Sequence, residues 1–355
     1  MSSKDVYGPD SIQVLDGLEA VRRRPGMYVG DVHDGSGLQH VLMCLVERAR
    51  DEHVAGGKLS RVRVSIEGRL AEVEDDGEGL PVEVDPRRGV RWAEWMMTSL
   101  CAPGPNELAI PNAISSHLEL EVRRDGYVWH QSYAHGRPLG PMEPGARTEK
   151  TGARLRMQVD PAIFTTDFDR ATVRERLEEL AAFNPGLVFE LMCERIVEPR
   201  GLAGWLERSE GAETLSPIFA TRGARGDIEV DVAIAWSSDR GEHLRSAVNQ
   251  RCSDEGGTHE RGLWRGIVAA IASRDRAFRG GAPRLAIARR RLSGLRAIVA
   301  VSMPHPTFGN ATRDHLASPE AGAAVRAVVT EAYGAFLATQ PKLARQLAKA
   351  LNGTV

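Results

Sequence analysis

The sequence lacks closely spaced cysteines. Its four cysteines, Cys44, Cys101, Cys193 and Cys252, lie far apart and form no Cys-x-x-Cys pair. Zinc sites and disulfide frameworks depend on clustered cysteines, so the spacing disfavours both kinds of protein. It favours reduced thiols in a cytoplasmic protein.

Long apolar runs and an excess of positive charge are also missing. No stretch approaches the roughly 20 consecutive apolar residues that a membrane span requires, and residues 1–5 begin no apolar run typical of a signal peptide. We therefore expect no membrane partner. The formal net charge is −2, so the chain has no overall basic field of the kind that non-specific DNA binding needs. DNA binding is expected to be weak or absent.

The length and the apolar content are sufficient for packed cores. A chain of 355 residues is expected to form two or three domains. Hydrophobic residues make up 42% and charged residues 26%, which is normal for a soluble globular protein. Prolines and glycines cluster at residues 196–215, and we place a domain boundary there.

Hydrophobic periodicity predicts a mixture of helices and strands. Helices are expected at 11–24, 38–54, 89–100, 169–182, 201–207, 261–278 and 321–351. A hairpin is expected at 61–74, an extended piece at 27–30, and strands at 118–122, 127–133, 152–159, 187–192, 228–236 and 284–304. The last helix carries Lys342, Arg345 and Lys349 on one face, which is typical of a solvated helical face.

The chain is organised around an acidic turn at residues 73–81. An apolar alternation runs into Asp75 and Asp76, and Gly77 and Gly79 follow. A buried carboxylate in such a turn can accept a hydrogen bond from an amino group, and the glycines let a flat ring approach the backbone. Alone, this pattern is equally consistent with a plain acidic turn.

Specific motifs surround the turn in a fixed order. They are Tyr7, SIQVL (11–15), GLEAVR (17–22), RPGMYVG (24–30), GSGL (35–38), DDG (75–77), GLP (79–81), EKTG (149–152), GGTH (256–259) and VSMP (301–304). This series resembles the N-terminal half of the DNA gyrase B family and covers nearly the whole chain.

The resemblance implies an α+β fold. A Bergerat-type (GHKL) α/β sandwich is expected at 11–200, preceded by an N-terminal arm at 1–10. A ribosomal-protein-like α/β transducer domain is expected at 201–355. Nothing resembles the metal-binding cleavage domain that follows in a full gyrase B, so topoisomerase activity is not expected of this chain alone.

Part of the family's nucleotide site is retained. The adenine-reading carboxylate falls on Asp75, the glycine under the base on Gly79, and Thr151 falls on the strand that lines the same pocket. Tyr7 matches the tyrosine that reaches the nucleotide of the second protomer. These positions could still bind a flat heterocycle.

The phosphate-handling residues depart from the family. The glutamate that orients the attacking water is replaced by Cys44, and the magnesium-binding asparagine by Arg48. A guanidinium cannot ligate a metal. The glycine-rich lid is missing after residue 100, and the family's Gln-Thr-Lys loop is Ala311-Thr312-Arg313. Hydrolysis and magnesium binding are therefore not expected, and the chain is interpreted as a degenerate paralogue.

Charge in the turn suggests a role for Arg48. The family pairs the aspartate at the position of Asp51 with an arginine of the turn. In this chain the arginine is replaced by Glu78, and two carboxylates that face each other would repel, so a cation should lie nearby. We hypothesise that Arg48 fills the old metal position and bridges Asp51, Asp75 or Glu78. The alternative is an Arg48 side chain that points to solvent. Glu47 is a less favoured substitute base.

Other family positions carry weaker expectations. The coumarin-binding arginines match His130 and Glu78, so strong coumarin binding is not expected. His259 is expected to be structural, and the histidines show no metal-ligand spacing.

Three functions are compatible with this pattern. The first is a pseudo-ATPase that dimerises through its arm or binds a partner such as gyrase. The second is a weak binder of ATP or ADP with residual or ligand-gated hydrolysis. The third is an enzyme with a repurposed pocket, for which Cys44 is the only support. No cofactor is expected beyond weakly bound ATP or ADP, which Arg313 could still contact.

Overall fold

The structure is a computed structural model, and it describes residues 17–54, 57–102, 108–209, 216–253, 255–275, 278, 281–310 and 315–353. The chain divides into two compact units, which we call unit 1 (Met1–Val197) and unit 2 (Glu198–Val355). No helix in the described ranges is both long and apolar enough to cross a membrane.

Four of the six helices described in unit 1 lie where the apolar pattern predicts a helix. The six helices are α1 Glu19–Arg23, α2 Gly26–Val29, α3 Ser36–Val54, α4 Trp92–Thr98, α5 Ala109–Ile114 and α6 Arg170–Phe183. Helix α3 buries Leu38, Leu42 and Leu45 completely, as its predicted stripe requires. The extended piece predicted at 27–30 is wrong, because α2 occupies it. Pro25 precedes α2 with φ of −59°, and a proline fixed near this angle favours the start of a helix.

The strands of unit 1 form a single sheet. They are β1 Arg61–Glu67, β2 Leu70–Asp75, β3 Ser115–Arg124, β4 Tyr127–Ala134, β5 Arg137–Pro138, β6 Glu143–Arg147, β7 Gly152–Val159, β8 Val188–Leu191 and β9 Glu194–Ile196. Their order is β5-β4-β3-β7-β2-β1-β8-β9, and β6 also pairs with β4. Strands β1 and β8 are parallel, and the other pairs are antiparallel.

One face of this sheet carries alternating charges. Glu190, Arg63, Glu74, Arg154 and Glu121 occupy successive strands at paired positions. Arg63 Nε lies 2.8 Å from Glu190, and Arg154 Nη2 lies 2.8 Å from Glu121. Opposite charges on neighbouring strands stabilise a sheet modestly, so this open face is neutralised within the sheet.

The alternation along β2 decides where the acidic turn points. Ala71, Val73 and Asp75 are buried, whereas Glu72 and Glu74 lie on the open face. Successive side chains of a strand point to opposite faces. The carboxylate of Asp75 is therefore on the apolar face of the sheet, where Ala71 and Val73 join the core.

Unit 2 has a second mixed sheet. Its strands are β10 Phe219–Arg225, β11 Ile228–Trp236, β12 His243–Val248, β13 Arg251–Cys252 and β14 Leu295–Ser302. Their order is β10-β11-β14-β12-β13, with β12 and β14 parallel. Its helices are α7 Leu202–Ser209, α8 Thr258–Ala272, α9 Leu285–Arg291, α10 Pro319–Thr339 and α11 Pro341–Asn352.

Two predictions for unit 2 are corrected. The strand expected at 284–304 is α9 followed by β14, separated by Gly294 at φ of 83°. The helix expected at 321–351 is broken at Gln340, which has φ of −122° and ψ of 64°. A residue before proline is disfavoured in the helical region, so Pro341 ends α10 and begins α11.

Helices α8 and α10 approach unusually closely through glycines. A Cβ on Gly262 would overlap the carbonyl oxygen of Gly322, and a Cβ on Gly266 would lie 2.7 Å from Val329 Cβ. Glycine is required where backbones come this close. The two helices therefore present their outer side chains to the same surface.

Candidate functional site

The carboxylate of Asp75 is bonded on both oxygens by protein donors. Its Oδ1 accepts hydrogen bonds from the backbone N–H groups of Gly77 (3.1 Å) and Ala153 (3.2 Å). Its Oδ2 accepts one from the guanidinium of Arg48. The Asp75 side chain is 0% exposed. The position predicted to read a base is therefore turned inward and occupied by the chain itself.

Arg48 supplies the cation of this site from α3. Its side chain is 5% exposed, and Asp75 is its carboxylate partner. The hypothesis that Arg48 bridges Asp51, Asp75 or Glu78 is confirmed for Asp75, and the solvent-pointing alternative is wrong. Within the described residues, the Nε of Arg48 has no hydrogen-bond partner. The guanidinium is thus held by one strong pair and retains one unused donor.

The second carboxylate at the turn is Glu52, which the sequence reasoning missed. Its Oε1 accepts a hydrogen bond from the backbone N–H of Glu78, and burial raises the pKa of the Glu52 carboxyl. Asp51 instead pairs with Arg50, whose Nε lies 2.9 Å from Asp51 Oδ1. The contact from α3 to residue 78 is therefore made by Glu52. Glu52 follows Arg48 by four residues, and that i, i+4 spacing was the signal available.

Two glycines of the site allow neighbouring backbone segments to approach each other closely. Gly79 has φ of 76°, and a Cβ there would lie 2.7 Å from the carbonyl oxygen of Gly152. Gly152 has φ of 123°, and its Cβ would overlap the carbonyl oxygen of Asp75. This close approach brings the N–H of Ala153 to the Asp75 carboxylate.

Thr151 lies at a different place from the Asp75 carboxylate. It is exposed, and it lines a cavity of about 480 Å³ together with Asp75, Arg63, Glu74 and Arg123. The Asp75 side chain is 0% exposed, so the carboxylate itself is not accessible from this cavity. Arg63 and Glu74 are on the open face of the sheet, where they pair at 2.9 Å. The cavity beside the turn therefore opens on the charged face of the sheet, away from α3.

Cys44 and Glu47 are two further side chains of α3 that contact other residues of unit 1. Cys44 is buried, with its Sγ 3.8 Å from Nε2 of His40. The carboxylate of Glu47 accepts a hydrogen bond of 2.9 Å from Nη2 of Arg176 on α6. Glu47, considered as a substitute base, thus forms a buried bridge between α3 and α6.

Several predicted positions fall elsewhere. Tyr7, Arg313 and residues 103–107, where the resemblance would place the lid, lie outside the described residues. His130 is exposed on β4, 4.0 Å from Glu121. In the described parts of the chain, no group of three or more His, Cys, Asp or Glu side chains could hold a metal ion.

His259 lies at the start of α8 in unit 2 and is completely buried. Neither ring nitrogen has a hydrogen-bond partner among the described residues. Burial lowers the pKa of His259 from its ordinary value near 6.5 to about 4. The ring is therefore neutral at pH 7 and packs as part of the core.

Acid should destabilise unit 2 through His259. Between pH 6.5 and 4 the unfolded chain binds a proton that the folded chain excludes, so the free energy of unfolding falls as the pH drops. The full loss is about 3 kcal/mol. Urea unfolding at pH 7 and pH 4 should show this loss in the wild type, and a much smaller pH effect in His259→Leu. His305→Gln, at an exposed histidine of the same unit, should behave like the wild type; an equal pH effect in all three proteins would contradict the assignment.

Comparisons with known proteins show which family this chain resembles. The DNA gyrase B family model matches residues 201–353. The DNA gyrase B protein of Mycobacterium tuberculosis is 31% identical over 93% of this chain and 57% of its own length. The Treponema pallidum gyrase B protein is 32% identical over 94% of this chain and 57% of its own length. The chain thus spans a little over half the length of these relatives.

Solved structures show the same likeness in the fold. The 43K ATPase domain of Thermus thermophilus gyrase B, crystallised with an aminocoumarin, superposes with a TM-score of 0.82 and 29% identity. The match covers 95% of this chain and 94% of that domain. The gyrase B protein of Myxococcus xanthus gives a TM-score of 0.77, with 27% identity over 94% of this chain and 99% of that one.

Fold and sequence together make this chain similar to GHKL proteins. More particularly, the chain is gyrase B-like, with the fold of the gyrase B ATPase region. The predicted α+β class, a GHKL sandwich followed by a transducer-like α/β unit, is confirmed.

Proposed function

We propose that this chain is a gyrase B-like pseudo-ATPase, which serves as a nucleotide-independent dimerisation or partner-binding protein. The observation that carries the proposal is the Asp75 carboxylate, which is fully buried and bonded by Arg48, Gly77 and Ala153. An adenine amino group would have to displace the Arg48 guanidinium to reach it. Such a displacement would leave a buried positive charge without its partner, which is strongly unfavourable.

The residues at the phosphate end do not fit magnesium or a reacting water. Arg48 stands where the family resemblance places a metal ligand, and a guanidinium has no lone pair to donate to a cation. Cys44 stands at the position of the general base and is buried beside His40. Glu47, the carboxylate considered as a substitute base, is bound to Arg176. These three observations support loss of hydrolysis.

Nucleotide binding tests this proposal directly. Calorimetry of the purified chain with ATP, ADP and a non-hydrolysable analogue should give no binding heat beyond that of inorganic tripolyphosphate at the same concentration, because the adenine base finds no free partner at Asp75. Phosphate release from ATP should be the same with and without Mg²⁺. Magnesium-dependent release that disappears in a folded Asp75→Asn variant would refute the proposal. Binding of ATP that exceeds the binding of tripolyphosphate, without phosphate release, would instead favour a weak nucleotide binder.

The partner role needs its own measurement. The proposed partners are a second copy of this chain, joined through the arm at residues 1–10, or a gyrase subunit. Sedimentation velocity should show a mass that is unchanged by ATP, because assembly is proposed to be nucleotide-independent. Deleting residues 1–10 should abolish the dimer, or abolish co-sedimentation with a gyrase B ATPase region. If the intact chain is monomeric and does not co-sediment, the partner role is wrong.

A further inference from the structure

A basic cavity of about 790 Å³ lies on unit 2 and shares no residue with the acidic turn. Helices α8 and α10 form its walls and floor. Four arginines line it: Arg225, Arg261, Arg265 and Arg326. All four are exposed. Guanidinium groups from three different elements thus surround one space in a chain whose net charge is −2.

Three of these guanidinium groups have no carboxylate partner among the residues that the structure describes. Arg225 pairs with Glu331. Within the described part of the chain, Arg261, Arg265 and Arg326 pair with no carboxylate. Like charges that share a cavity repel one another, and an anion in the cavity would remove that repulsion.

The residues that form the floor of the cavity have small or no side chains, so both helices reach it. Its lining includes Gly262, Ala269, Gly322, Ala323 and Ala327. The backbones of α8 and α10 touch at Gly262 and Gly322, so no bulky side chain separates the arginines of one helix from that of the other. One ligand can therefore contact Arg261, Arg265 and Arg326 together.

We propose that this cavity binds a small anion that carries several phosphate groups. The planar fork of arginine donates two parallel hydrogen bonds to a phosphate, and several guanidinium groups together suit an oligophosphate. The volume is in the range of small-ligand pockets, about 300–1,000 Å³. This site is independent of the proposed loss of ATP hydrolysis, because it is built from other residues.

Charge around the cavity favours a small ligand over a long polyanion. Asp227 and Glu229 are exposed just beyond Arg225, and Glu320 is exposed next to Pro319, which lines the cavity. A DNA duplex crossing this surface would meet these carboxylates. These carboxylates flank the arginines of the cavity, and an oligophosphate would fit between them.

Calorimetry with inorganic tripolyphosphate tests the proposal. The wild-type chain should bind one equivalent, with an affinity that weakens as salt rises. The double variant Arg261→Ala/Arg326→Ala should bind at least about tenfold more weakly, since each removes hydrogen bonds to a charged group. A matched control, Arg290→Ala/Lys342→Ala, removes the same charge from exposed positions of unit 2 and should bind like the wild type.

Three results would overturn the proposal. The first is no binding of tripolyphosphate by the wild type at about 1 mM ligand, because a Kd above about 1 mM corresponds to less than about 4 kcal/mol of binding free energy. The second is an equal loss in the cavity and control variants, which would indicate a non-specific charge effect. The third concerns a DNA duplex of about 20 base pairs, roughly two helical turns. If the wild type binds this duplex more tightly than tripolyphosphate at equal phosphate concentration, and the cavity variant loses that binding, the cavity is a nucleic-acid site.

Discussion

Replacing Arg48 by methionine should lower the free energy of unfolding of unit 1 by about 3–5 kcal/mol. The methionine keeps most of the apolar stem but removes the cation that pairs with Asp75. The carboxylate, at 0% exposure, would then be buried with only two backbone amides to stabilise it. Urea unfolding followed by circular dichroism measures the loss, and hydrogen exchange at α3 and β2 assigns it to unit 1.

Two matched variants separate this effect from general damage. Arg174 pairs with Glu178 and Glu194 but is 46% exposed, so Arg174→Met should cost less than about 1 kcal/mol. The double variant Arg48→Met/Asp75→Asn removes both charges and leaves an oxygen to accept from Gly77 and Ala153. It should recover a large part of the loss. If Arg48→Met alone costs no more than Arg174→Met, the buried pair does not have the importance assigned to it.

Replacing Gly152 by alanine should also destabilise unit 1 severely, by at least about 3 kcal/mol. Two costs add at this position. The backbone has φ of 123°, which residues with a Cβ rarely adopt. The new methyl group would also overlap the carbonyl oxygen of Asp75, and overpacking against backbone is not easily relieved. The β2–β7 pairing next to the turn should separate.

Gly126 provides the control for the backbone angle alone. It has φ of 81° in the turn between β3 and β4, and a Cβ there would meet nothing within 4 Å. Gly126→Ala should therefore cost only about 1 kcal/mol, from the strained φ. The same urea experiment measures both variants. Equal losses would mean that the contact between residue 152 and Asp75 contributes nothing beyond backbone strain.

The periodic elements of this fold could be predicted from the sequence. Helix α3 and the β1–β2 hairpin have strong apolar periods, and the structure confirms both. The strand at 228–236 is confirmed with the bounds expected. Strands of two or three residues, such as β5, β9 and β13, were not predicted, because so short a segment has no period and is defined only by its partner strand.

The site was predictable only in part, for a related reason. The need for a cation near the acidic turn followed from charge, and Arg48 fills that need. The choice between Asp51 and Glu52 did not follow, because adjacent positions on a helix point about 100° apart and the sequence does not fix which faces the turn. The partner of Asp75 Oδ1 on β7, the N–H of Ala153, depends on a strand 78 residues away.

The Arg48–Asp75 pair also changes how the stability of unit 1 depends on its surroundings. Where a core carboxylate is satisfied by a bound ligand, the folded state gains stability by mass action as the ligand concentration rises. Here the cation is a side chain of α3 and cannot be diluted. The stability that this pair gives to unit 1 is therefore set by the sequence. The temperature at which unit 1 unfolds should be the same in a nucleotide-rich and a nucleotide-free solution.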